Sequence, residues 1–155
     1  MSVGGNIRCA GNIRGDYLIG TSITALYADL AERFEADSYY VPGTVLTMGG
    51  PAEVTLEENE LSDNILGVVS THAGYLMNAG AGDNTTHPPI AVSGRVPVRV
   101  IGQVRKGDRL VSAGNGLARV GSKNEITPFN VIGRSLEDKY TEGEELVLCV
   151  VKLNS

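Results

Sequence analysis

Apolar and polar residues alternate in short runs along most of this chain, and the runs are cut by glycine. From residue 39 onward the runs are Tyr39-Tyr40-Val41, then residues 44–47 and 53–56, then Ile65-Leu66-Gly67-Val68-Val69. They continue at 90–92, 96–104, 109–112, 116–120, 130–135 and 146–153. Their lengths and β-branched content predict strands at roughly ten-residue spacing, the pattern of a small barrel or sandwich. Turns are expected at Pro42-Gly43, Gly49-Gly50-Pro51, Gly94, Gly107-Asp108, Gly114-Asn115-Gly116 and Gly143, because glycine adopts positive φ without steric cost.

One window departs from this pattern. In residues 24–36, Leu26, Leu30 and Phe34 recur at four-residue spacing, which predicts a short helix with its apolar side inward. Asp29, Glu32 and Glu35 then share its solvated side, where paired carboxylates can also do acid–base work. Upstream, Gly5-Asn6-Ile7-Arg8 recurs as Gly11-Asn12-Ile13-Arg14. A six-residue period with Gly-Asn turns reads as extended chain, with one aliphatic residue per unit. Ile7, Ile13 and Leu18 have nothing to bury against in a single copy. Three copies wound about one axis bury them against each other, so these residues are the expected trimer interface.

The chain divides into an extended shaft or docking segment, 1–27, and a β-rich head, 28–155. The expected fold class is therefore mainly β, with a compact barrel or sandwich and one short helix. Within the head, residues 71–89 interrupt the strand grammar with a Gly/Ala-rich stretch followed by Thr85-Thr86-His87-Pro88-Pro89. This is an expected exposed contact loop, and Tyr75, Met77, Asn78, Asp83, Asn84 and His87 are its candidate recognition residues.

Composition narrows the function. Twenty glycines in 155 residues suit many tight turns, and with aromatics at 5% the core must be aliphatic. A net charge of −5 with dispersed basic residues gives no footprint for nucleic acid. No run approaches the roughly 20 apolar residues of a membrane span, and the start of the chain lacks a signal-peptide core. Cys9 and Cys149, with His72 and His87, do not form a metal-ligand spacing, so no metal or cofactor is expected. Ser70-Thr71-His72 lacks the surroundings of a nucleophile site and reads as polar loop. Lys106-Gly107-Asp108 reads as a hairpin turn rather than a phosphate loop, and Glu57-Glu58-Asn59-Glu60 as a solvated turn.

Several segments in order resemble the C-terminal domain of phage tail fibres and pre-neck appendages. They are Ala28-Asp29-Leu30-Ala31-Glu32-Arg33-Phe34-Glu35-Ala36, Val41-Pro42-Gly43-Thr44-Val45, Leu66-Gly67-Val68-Val69-Ser70-Thr71, Tyr75-Leu76-Met77-Asn78, residues 92–98 and residues 102–108. The resemblance spans about residues 25–151. It implies a homotrimeric virion protein, a fibre or appendage component of tail or baseplate, assembled in the host cytoplasm. Its implied partners are further copies of itself, other virion proteins and a host surface receptor. In that family the domain is a G2-type peptidase, an intramolecular chaperone that can cut itself off. Cleaving members carry a small hydroxyl residue just before the Ala-Asp-x-Ala-Glu motif. Tyr27 stands there in this chain, so the expectation is a non-enzymatic protein. Pro42-Gly43-Thr44-Val45-Leu46 and Leu66-Gly67-Val68-Val69 also resemble trimeric head-decoration proteins of the lambda type, which implies capsid decoration as an alternative.

Overall fold

In a computed structural model, the structure describes residues 28–152 together with Ala10, Gly11, Arg14 and Gly15. Ile7, Ile13, Leu18, Tyr27 and Cys9 lie outside the described residues. The described residues form ten strands and no helix: β1 (Asp29–Arg33), β2 (Val45–Met48), β3 (Val54–Leu56), β4 (Ile65–Val69), β5 (Tyr75–Met77), β6 (Pro89–Val100), β7 (Arg109–Gly114), β8 (Leu117–Val120), β9 (Val131–Ser135) and β10 (Glu145–Lys152).

Five of these strands close into a barrel in the order β6, β8, β7, β9, β10 and back to β6. The inward residues of β6 and β10 alternate with outward ones. Val96, Val98 and Val100 meet Val147, Cys149 and Val151 in the interior, with Leu110, Ala118 and Ile132 from the other walls. At about 25 cal/mol per Å2 of apolar area, these aliphatic side chains supply most of the folding drive without a large aromatic.

Strand β6 is twelve residues long and serves two layers. Its second half forms a barrel wall, while its first half pairs with β1 on one side and β4 on the other. Strands β4, β2 and β3 continue from it, and a second core of Leu46, Val54, Leu66, Val69 and Ile90 lies under them. The change of neighbours falls at Gly94, which pairs with both Asp29 and Val151. Its φ of 109° and its contact with the Ala28 carbonyl leave no room for a side chain.

Residues 29–33 of the predicted helix are strand β1, because each of its two edges finds a partner, β6 and β5, and Asp29 and Ala31 turn inward. Gly94 does not end a strand; the runs at 90–92 and 96–104 form one strand that passes through it and ends at Val100. Residues 39–41 are not a strand. The turn at Gly107 is present, with φ 93°, but β6 and β7 do not pair across it. Gly114-Asn115-Gly116 does close the β7–β8 hairpin, all three residues having positive φ.

Candidate functional site

The loop predicted over 71–89 is a built structure. Tyr75 and Met77 lie on strand β5 rather than in a loop, added parallel to β1 so that Leu30 faces Tyr75 and Glu32 faces Met77. Tyr75 is 68% exposed beside the exposed Leu30, while Met77 is half-buried. Asn78 follows with φ 52° and donates from Nδ2 to the Arg33 carbonyl at 3.1 Å. Asp83 nucleates a turn: its Oδ1 accepts from the backbone N–H groups of Thr85 (2.9 Å) and Thr86 (3.1 Å) and from the Thr85 hydroxyl. These bonds favour the charged form and hold the Asp83 carboxyl down at about 2. His87 donates its backbone N–H to the Asp83 carbonyl at 2.7 Å, and its own carbonyl accepts from Arg33 at 2.5 Å. Asn84 is exposed and lines a shallow recess with Tyr39 and Pro88. The six predicted contact residues thus share one ordered flap against β1, with Tyr75, Asn78, Asp83 and Asn84 facing solvent.

Where β1 begins, Ala28, Asp29, Ser70, Thr71, His72 and Arg95 line a cleft of about 190 Å3. Asp29 is 5% exposed; its Oδ1 accepts from the Gly74 N–H at 3.2 Å, and its Oδ2 has no hydrogen-bond partner. Ser70 is buried rather than part of an exposed polar loop, and its hydroxyl is likewise unpartnered. Glu32 points to the opposite face of β1 from Asp29, so the expected single row of Asp29, Glu32 and Glu35 does not form. Glu57 also departs from expectation: it is 1% exposed, with one oxygen accepting from Asn59 N–H at 2.8 Å, while Glu58 and Glu60 are solvated. Among the described residues no group of three or more His, Cys, Asp or Glu side chains could hold a metal ion.

A second surface is formed by residues far apart in sequence. On the outside of the barrel, Arg95 of β6 faces Val150 of β10, Val150 faces Arg134 of β9, and Arg134 faces Arg109 of β7. These residues are exposed, and none of the three arginines belongs to an ion pair among the described residues. Two arginines directly opposed across antiparallel strands repel each other. Beside them opens an apolar groove of about 570 Å3, walled by Ile126, Pro128, Val131 and Val150 and rimmed by Arg109, Arg134 and Lys152. The signal was present in β10, whose outward residues Leu146, Leu148 and Val150 are as apolar as its inward ones. An alternation test cannot see a second apolar face.

No protein-family model matches the sequence, and no curated protein matches it. Solved structures do. The C-terminal fragment of bacteriophage phi29 gene product 12 matches with a TM-score of 0.57 at 18% identity, over 80% of this chain and 100% of that fragment. The pre-mature phi29 gene product 12 matches with a TM-score of 0.59 at 16% identity, over 92% of this chain and 24% of its own length. The head fiber gp8.5 N base of phi29 gives a TM-score of 0.47 at 15% identity, over 79% of this chain and 92% of that one. At these identities the first two likenesses show a common fold, and the chain spans about a quarter of the pre-mature protein.

Proposed function

We propose that this protein is a non-enzymatic structural component of a phage particle, a homotrimeric fibre or appendage protein of the tail or baseplate. The observation that carries the proposal is the fold shared with the whole C-terminal fragment of a phage gene product. In this reading residues 1–27 are the docking shaft, sheltering Ile7, Ile13 and Leu18 among three copies, and the β domain is displayed. The ordered flap bearing Tyr75, Asn78, Asp83 and Asn84 is the surface that meets a host receptor or a neighbouring virion protein. Multi-angle light scattering of the purified chain is expected to give the mass of three copies. Replacing Ile7 and Ile13 together by Asp is expected to weaken assembly, because each carboxylate would have to be buried unpaired. Localising the protein in intact particles tests the site of display; density on the capsid would favour the decoration alternative.

One observation favours a second reading, a self-cleaving chaperone domain: Asp29 carries an unpartnered buried carboxylate oxygen beside Ala28, within the motif that carries the family resemblance. A denaturing gel of freshly made protein separates the two. The structural reading expects one full-length band, and a shorter product lacking about the first 27 residues would favour cleavage.

A further inference from the structure

The barrel carries opposite chemistry at two places. The cationic rim of Arg109, Arg134 and Lys152 surrounds the apolar groove described above. Past the end of β9, the β9–β10 connection presents Tyr140, at 78% the most exposed of the large apolar side chains among the described residues. Around it stand Asp138, Glu142 and Glu145, all exposed and none in an ion pair among the described residues. This tip is held firmly. Lys139 is buried and donates from Nζ to the carbonyls of Gly102 (2.8 Å) and Thr141 (2.7 Å), and its backbone pairs in both directions with Val104. The Tyr140 hydroxyl donates to Asp138 at 3.2 Å, so the ring stands among carboxylates.

We infer that the groove is the seat for the Tyr140 tip of a second copy of this chain. An aromatic ring ringed by acids matches an apolar trough ringed by bases, in shape class and in charge. The incoming carboxylates relieve the repulsion between Arg109 and Arg134, and the ring covers Ile126, Pro128, Val131 and Val150. The groove and the tip are different patches of one molecule, so the contact is head-to-tail, and such a contact closes into a ring under cyclic symmetry. This inference rests on the trimeric reading proposed above and supplies an interface for its head domain, separate from the shaft.

Directed cross-linking of the full chain tests it, in a Cys9→Ser background so that the buried Cys149 is the other thiol. Thr141→Cys on the tip and Pro128→Cys in the groove wall are combined in one chain and oxidised. Covalent dimers and trimers are expected. Each single substitution alone is expected to stay uncross-linked, since tip does not meet tip, and the two co-expressed are expected to stop at dimers. Adding Tyr140→Ser, a change at an exposed site that leaves the core intact, is expected to slow cross-linking about tenfold or more, as loss of an aromatic anchor does. A trimer by light scattering without cross-links, or with cross-links in either single variant, overturns the inference and leaves the trimeric reading standing. A monomeric parent chain overturns both.

Discussion

The Asp83 turn is a titratable joint. Its carboxyl is held near 2 against an ordinary 3.8 by the hydroxyl and backbone N–H of Thr85 and the N–H of Thr86. A depressed folded-state value stabilises the turn fully above 3.8, and that stability is lost as pH falls through about 2. Amide resonances of residues 83–87 are therefore expected to broaden or shift as the pH is lowered from 4 toward 2. Asp83→Ala is expected to give the same local change at neutral pH. Cys149 behaves in the opposite sense. Burial in the barrel core pushes its thiol up to about 12, and the sulfur donates to the Val147 carbonyl. In a Cys9→Ser background, thiol reagents at pH 8 are expected to leave the native protein unlabelled and to modify it on denaturation, which mass spectrometry reads directly.

Among the elements, β6 binds the architecture together, and its pivot is Gly94. Gly94→Ala adds a methyl against the Ala28 carbonyl at a φ that side chains avoid, so a loss of about 1–3 kcal/mol is expected in chemical denaturation. Gly102→Ala is the informative comparison, since its φ is also positive but nothing lies near its added methyl. The milder loss there isolates the collision term. Ile90→Ala, in the second core, is expected to cost about 2–5 kcal/mol. The strands from β6 to β10 were legible from their β-branched apolar runs and the turn residues between them, and the run at 65–69 matches β4 residue for residue. Strand β1 was not, because Leu26, Leu30 and Phe34 also fit a helical spacing and only its pairing with β5 and β6 decides the matter. Strand β5 is three residues long and exists through the edge that β1 offers it. The six candidate residues fall on one flap, since a break in alternation marks such a segment. The arginine row was not legible, because Arg95, Arg109 and Arg134 lie far apart in sequence and meet only through strand register.

For the molecule as a whole, charge is the uneven quantity. The chain is acidic overall, yet three arginines in no ion pair among the described residues, Arg95, Arg109 and Arg134, gather on one side of the barrel. A head-to-tail junction built on that asymmetry is expected to weaken with ionic strength. Sedimentation equilibrium of the Ile7→Asp/Ile13→Asp chain, in which the shaft contributes least, is expected to show several-fold weaker association near 1 M salt, where the screening length is about 3 Å. Association that is unchanged or strengthened by salt would point to an apolar contact instead.

The place where the chain enters the head has a mechanical meaning. Ala28 accepts from the Arg95 N–H, and the next residue, Asp29, accepts from Gly74, so the incoming backbone is fastened to β6 and to the flap at its first steps. Strand β6 is in turn bonded to β4, β8 and β10. A tug arriving along the leading segment is thus spread over the longest strand and the walls on either side of it, rather than borne by one hairpin that could peel open.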